Sequence, residues 1–263
     1  MDSDLNHTPS DPDRDVRQRI RRAQELAKES KFAEAVAEYD FIIEHGVDLT
    51  PDIFADRGCY KSNCGDFEGC IADSTHALAL CSDPASPLHI RAAATSLYNR
   101  AAAQKNLGRD EEALIDFDAL LKIKPTHLLG LYYRAFTYGN LGMWERAILA
   151  WEPYMERVPE DWWPRLYRGI AFTELGMKAE AITEYQKGTE LNPRFKAFYF
   201  RRWTLYRELK EPELAQKDFE AGNAIIHEPM NPFEEISKLE QIEVWRKRRI
   251  SEASSADGKC NSP

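Results

Sequence analysis

The sequence predicts an all-α fold made of repeated helix-turn-helix units, and a fixed internal period is the main observation behind this prediction. Three segments align without gaps: ALIDFDALLKIKP, AILAWEPYMERVP and AITEYQKGTELNP. Their first residues, Ala113, Ala147 and Ala181, are spaced by 147 − 113 = 34 and 181 − 147 = 34 residues. Such a period is typical of solenoids, in which each unit buries its apolar face against the next.

The period extends in both directions along the chain. Forward, 215 − 181 = 34 leads to Ala215, and backward the equivalent small residues are Cys70 and Ala35, with 70 − 35 = 35. The interval 113 − 70 = 43 is the irregular one and indicates an insertion of 43 − 34 = 9 residues. The pattern therefore predicts six copies.

Each copy carries the markers of a helical hairpin rather than of a strand. Four residues after the small residue, one turn along the same helix face, stands an aromatic residue in five copies, with Ser74 as the exception: Tyr39, Phe117, Trp151, Tyr185 and Phe219. Five residues before it stands the glycine that ends a helix in a left-handed cap, replaced by Ser30 and Lys210 in the outer copies: Gly65, Gly108, Gly142 and Gly176. Three units close on a proline, which cannot continue a helix: Pro125, Pro159 and Pro193.

This combination of period, small residues, aromatics and prolines resembles the tetratricopeptide repeat (TPR) family. The resemblance covers residues 16–229, in six units at about 16–49, 51–84, 94–127, 128–161, 162–195 and 196–229. It implies an all-α, right-handed superhelical solenoid in which the first helix of each unit lines a concave groove.

Segments outside the regular units are predicted separately. Residues 1–15 are acidic and residues 251–263 are small and polar, so both are predicted to be disordered. Residues 230–250 are predicted to form a capping helix, since Asn231 suits the N-cap and Pro232 the first helical position.

Two local features allow alternatives. The insertion, at residues 82–95, is either the start of a continuous helix of roughly 20 residues from Pro87 or a surface loop. Pro153 stands inside the second helix of the fourth unit and is predicted to kink it, because it removes the hydrogen bond to the Leu149 carbonyl.

Composition excludes several classes of function. The net charge of −9 disfavours nucleic-acid binding, and the sequence has no apolar run that could span a membrane and no secretory signal. Five cysteines without such a signal favour free thiols and a cytoplasmic location, although the basic run Arg246 to Arg249 is compatible with a nuclear one. Catalytic, metal and cofactor signatures are lacking, so we expect no enzyme, no cofactor and no metal.

The candidate site follows from the TPR resemblance. In that family, the residues that face the groove precede the small residue by fixed numbers of positions. In this sequence those positions hold aromatic residues in the middle units, amides in successive units and basic residues at the C-terminal end of the groove. Lys105 also stands at one of these positions. We therefore predict a non-enzymatic scaffold that binds a peptide segment or helix of another protein, unless these side chains pack between helices. The candidate residues are Tyr98, Asn99, Asn106, Tyr132, Tyr133, Phe136, Asn140, Trp163, Tyr167 and Arg201.

Four other interpretations concern a carboxylate clamp, the cysteines, self-assembly and a series of arginines. The carboxylate clamp by which some TPR domains bind heat-shock chaperones is not supported, because Asn99 alone matches its pattern. A thiol- or metal-responsive module could use the second unit, although small apolar cysteines are favoured there, with Cys70 expected to be buried; the cluster comprises Cys59, Cys64, Cys70 and Cys81, near His76. A self-assembling homodimer is a third alternative.

An arginine stands thirteen residues before each small residue, and we expect it to pair with an acidic neighbour rather than bind an anion. The six arginines are Arg22, Arg57, Arg100, Arg134, Arg168 and Arg202.

Overall fold

A computed structural model describes residues 12–45 and 49–225, and its regular secondary structure there is entirely helical. This confirms the all-α prediction. The helices are α1 (Pro12–Lys28), α2 (Phe32–His45), α3 (Pro51–Asn63), α4 (Phe67–Leu80), α5 (Pro87–Asn106), α6 (Asp110–Ile123), α7 (Leu128–Asn140), α8 (Trp144–Met155), α9 (Trp163–Glu174), α10 (Lys178–Leu191), α11 (Lys196–Glu208) and α12 (Pro212–Ala224).

The turn inside each hairpin has the left-handed residue that the sequence predicts. The four marker glycines have φ between 67° and 81°, and Ser30 and Lys210 have φ of 61° and 60° at the equivalent positions. In each turn the amide of the following residue donates to a carbonyl of the preceding helix, as Arg109 N does to Gln104 O at 2.9 Å. These bonds satisfy carbonyls that the helix end would otherwise leave unpaired.

The marker residues form the core of the hairpins. All six small residues are buried, and the aromatic four residues later is at most 1 % exposed in four units. Ser74 is buried in the second unit, whereas Phe219 in the sixth is 40 % exposed. The small residues let paired helices approach, and the aromatic rings fill the space beside them.

The arginine series joins helices inside the protein, which confirms its predicted structural role. Arg100 and Asp116 make two parallel hydrogen bonds of 2.7 Å, and Arg57 with Asp73 and Arg202 with Asp218 repeat this geometry. The other three also reach carboxylates, at 3.1–3.4 Å: Arg22 to Glu38, Arg134 to Asp118 and Arg168 to Glu152. The guanidinium fork suits such paired bonds.

The insertion belongs to a helix, because α5 runs for 20 residues from Pro87 to Asn106. Ser86 accepts a hydrogen bond from the His89 amide and Pro87 occupies the first position, so both residues favour a helix start. The continuous-helix alternative is therefore confirmed, and the loop alternative is wrong.

Some predictions at the ends need correction or lie outside the described residues. The predicted disordered start, residues 1–15, is too long, because α1 begins at Pro12, whose fixed φ suits a first helical position. Pro153 lies inside α8, which ends two residues later at Met155; a kink there stays a prediction. The predicted cap at 230–250, the tail at 251–263 and the basic run fall outside the described part of the chain.

The chain divides into two compact units, Met1–Lys187 and Gly188–Pro263. In the first, α3, α5, α7 and α9 contact one another in succession, as the first helices of a repeat array should. In the second, α11 packs against α12, and Phe198 fills the space that the absent side chain of Gly188 leaves. None of the helices within 12–45 and 49–225 is both long and apolar enough to cross a bilayer; the cytoplasmic location stays a prediction.

Candidate functional site

The first helices of the third, fourth and fifth hairpins carry a continuous series of aromatic rings. We call this surface the aromatic face; it comprises Tyr98 on α5, Tyr132, Tyr133 and Phe136 on α7, and Trp163 and Tyr167 on α9. Successive ring centroids along it are 5.0–6.5 Å apart, from Tyr98 to Tyr133 and on to Tyr167 and Trp163. All six candidate aromatics are therefore brought together.

Tyr132 forms the base of the aromatic face. Its ring meets those of Trp151 and Tyr154 edge-on, at 5.1 and 5.3 Å, and only 9 % of the residue is exposed. Burial raises the pKa of its phenol well above the ordinary value, so the hydroxyl stays protonated at neutral pH. Tyr132 therefore supports the face from below, on side chains of α8 that the groove register does not select.

The accessible part of the aromatic face consists of half-buried rings. Tyr98, Tyr133, Phe136 and Tyr167 keep partial exposure. The Phe136 and Tyr167 rings meet edge-on at 5.0 Å, and Tyr167 also stacks at 6.0 Å on the buried Trp151. Each accessible ring is thus held by a neighbour, and side chains fixed in this way lose little conformational freedom when a ligand covers them.

The α9 end of the face is fixed by an acidic side chain between two helices. Asp161 accepts hydrogen bonds from the Tyr154 hydroxyl at 2.9 Å and from the Trp163 amide at 3.0 Å. Trp163 is buried and stacks on Trp162 at 4.3 Å. Trp163, like Tyr132, is therefore a supporting residue more than a contact surface.

The candidate asparagines are occupied by contacts within the protein. Asn99 is buried, and its side-chain amide donates to the Ala55 carbonyl at 3.1 Å, which ties α5 to α3. Asn106 is exposed and donates to the Ala102 carbonyl one turn back at 3.0 Å, while Asn140 donates to the Asp110 carboxylate at 3.4 Å. Equal spacing along the repeats could not distinguish a ligand contact from such internal bonds.

Arg201 belongs to the second compact unit, whereas the aromatic face belongs to the first. Arg201 is exposed on α11. Its predicted role as the basic end of a groove stays a prediction.

Lys105 is a functional candidate that the selected set omits, although it shares the groove register. Its Nζ lies 4.6 Å from the Phe136 ring centroid and 5.5 Å from that of Tyr133. Burial lowers the pKa of the Lys105 ammonium, while the negative charge of Asp110 opposes this shift. The offset marks the position, but the sequence carries no signal that the ammonium lies over two rings.

The four cysteines of the second hairpin differ in burial, since Cys70 is buried, Cys59 and Cys81 are half-buried and Cys64 is exposed. Cys70 is buried and donates to the Asn99 carbonyl at 3.5 Å, and burial raises the pKa of its thiol to about 11. A thiol of that pKa stays protonated and unreactive at neutral pH. In the described ranges, no three His, Cys, Asp or Glu side chains are grouped to hold a metal ion.

Comparison with known proteins gives one family match and several structural ones. Residues 94–127 match the tetratricopeptide repeat family, and this range is the one predicted for the third unit. No curated protein sequence matches the chain.

Among solved structures, a tetratricopeptide repeat protein from Parabacteroides merdae is 19% identical, with a TM-score of 0.63 over 95% of this chain and 94% of its own. The C-terminal part of a TPR repeat-containing protein from Cytophaga hutchinsonii is 17% identical, with a TM-score of 0.66 over 78% of both chains. MamA from Desulfovibrio magneticus, from residue 41 to its end, is 17% identical, with a TM-score of 0.58 over 66% of this chain and 94% of its own. Residues 94–127 are therefore a tetratricopeptide repeat, and the chain has the fold of tetratricopeptide repeat proteins.

Proposed function

We propose that this protein is a non-enzymatic scaffold that binds a segment of another protein on its aromatic face. The observation that carries the proposal is the set of half-buried rings of Tyr98, Tyr133, Phe136 and Tyr167, supported by buried rings beneath them. Tyrosine and other aromatic residues are enriched where proteins meet, because they bury a large area at low cost in entropy. Tightly held rings lower that cost further.

The proposal differs from the sequence prediction in which residues contact the partner. Tyr98, Tyr133, Phe136 and Tyr167 form the contact surface, and Tyr132 and Trp163 support it. Asn99 is not part of this surface, since its amide is buried and bonded to α3. A peptide or helix laid across α5, α7 and α9 would meet the four contact rings in turn.

The test compares a face variant with a matched control in the full-length protein. Phe136→Ala with Tyr167→Ala removes two contact rings and keeps the supporting Tyr132. Ile115→Ala with Leu149→Ala removes two apolar side chains from α6 and α8 that are 69% and 63% exposed. Partners captured from a source lysate are identified by mass spectrometry, and the affinity of each purified partner is then measured.

We expect the face variant to lower the affinity at least tenfold, as loss of two interface aromatics does, and the control to leave it unchanged. Circular dichroism must show equal helical content for both variants. Equal affinity of wild type and face variant would refute the proposal. A solution mass that rises with concentration, and only when both rings are present, would assign the face to self-assembly instead.

A further inference from the structure

The ammonium of Lys105 lies on the aromatic face without a salt bridge to any described carboxylate. Three half-buried arginines of the first unit, Arg57, Arg100 and Arg165, each have a carboxylate oxygen within 3.0 Å. In the part of the chain that the structure describes, Lys105 has no such partner within 4.0 Å, and Asp110 acts on it only at longer range. Its immediate neighbours are instead the rings of Tyr133 and Phe136.

This arrangement makes Lys105 a poorly solvated cation in an apolar surrounding. The π faces of two rings attract the ammonium, and the last turn of α5 favours a positive charge. Burial nevertheless lowers the pKa of the Lys105 side chain, because the ammonium has lost part of its hydration. A carboxylate brought by a ligand would provide the missing hydrogen bond and charge, in a site that already excludes part of the water.

We propose that the segment bound on the aromatic face carries an aspartate or glutamate side chain that pairs with Lys105, with apolar residues on either side that cover Phe136 and Tyr133. This inference rests on the proposed function and names the chemistry of its partner. A side-chain carboxylate fits better than a C-terminal one, because a single cation flanked by rings can hold one carboxylate between apolar neighbours. A chain terminus needs several converging donors, and the amides of Asn99, Asn106 and Asn140 are already bonded within the protein.

The probe is a displayed library of random dodecapeptides whose C-termini are fused to the carrier, so that every selected carboxylate belongs to a side chain. Selection is carried out on the full-length wild type and on two variants. Lys105→Met keeps the length and apolar stem of the side chain and removes its charge. Lys122→Met makes the same change at an exposed lysine in the last turn of α6 and is the matched control.

We expect wild type and Lys122→Met to select peptides with one acidic position flanked by apolar residues, and Lys105→Met to lose the acidic preference. In a selected peptide made with an amidated C-terminus, Glu→Gln should weaken binding to wild type about tenfold, and have no effect on Lys105→Met. This double-mutant comparison isolates the pair from effects of the variant on folding.

Three results would overturn the inference. Peptides that require Phe136 and Tyr167 but show no acidic preference would refute the Lys105 pairing and leave the proposed function standing. Binding that depends on a free C-terminal carboxylate in synthetic peptides would replace the side-chain partner with a terminal one. Failure to select any peptide that depends on Phe136 and Tyr167 would refute the proposed function, and the inference with it.

Discussion

Single residues set how closely neighbouring helices approach in this protein. Gly169 on α9 faces the ring of Tyr185 on α10, and a Cβ atom there would overlap the ring. The Tyr185 hydroxyl is fixed in turn by the Thr173 hydroxyl at 3.2 Å. The ring cannot move aside without loss of that contact, so the absence of a side chain at residue 169 is a packing requirement.

We predict that Gly169→Ala lowers the free energy of unfolding by about 2 kcal/mol, because an extra methyl group in a filled core forces the helices apart. Gly139→Ala on α7 is the matched control, since a Cβ atom there meets nothing within 4 Å. It should raise stability by about 0.5–1 kcal/mol through helix propensity alone. Urea denaturation of both variants measures the difference, and equal effects at the two sites would contradict the packing argument.

At the scale of the helix, spacing along the sequence predicts which helix face a residue lies on better than it predicts how deeply that residue is buried. The period predicts which residues share the face of α5, α7 and α9, because each repeat has the same local sequence and the same turn. It cannot predict that Tyr132 is the buried base of this face, since Trp151 and Tyr154, which cover its ring, come from α8. Asn99 is misplaced for the same reason, because its partner is a backbone carbonyl of α3.

The last described hairpin shows what a neighbouring unit contributes. Phe117 is fully buried and stacks at 6.1 Å on Tyr133 of the following hairpin. Phe219, at the equivalent position of α12, contacts Trp203 at 5.6 Å and Phe200 at 6.5 Å within its own hairpin and keeps 40% exposure. In the described part of the chain, Phe117 therefore has an aromatic contact in the next hairpin, whereas the contacts given for Phe219 lie in its own.

Substitution of Phe219 tests whether the predicted capping helix at 230–250 covers the sixth hairpin. If that segment covers the ring, Phe219→Ala should lower the free energy of unfolding by about 3 kcal/mol, as we expect for Phe117→Ala in the same full-length protein. If nothing covers the ring, the loss of stability should be about half as large, because part of the ring is already in water. Denaturant unfolding of the two variants measures both losses of stability. A much smaller loss for Phe219→Ala than for Phe117→Ala would refute the prediction that the capping helix covers Phe219.

At the scale of the whole molecule, one ion-pair scheme recurs through the hairpins. In five of the six units the arginine has an acidic partner sixteen residues later: Glu38, Asp73, Asp116, Glu184 and Asp218. The fourth hairpin departs from the scheme, because the position sixteen residues after Arg134 is Ala150. Arg134 reaches Asp118 at 3.4 Å, and its Nε is buried without a hydrogen-bond partner.

We predict that Ala150→Asp completes the scheme and raises the free energy of unfolding by about 1 kcal/mol, since a paired guanidinium and carboxylate would replace an unsatisfied buried donor. Ala150 is buried, so the new carboxylate must pair with Arg134 to be tolerated. In an Arg134→Met background, the same substitution should therefore destabilise the protein. Denaturation of wild type, both single variants and the double variant gives the coupling energy, and a coupling near zero would show that the fourth hairpin does not share the geometry of the others.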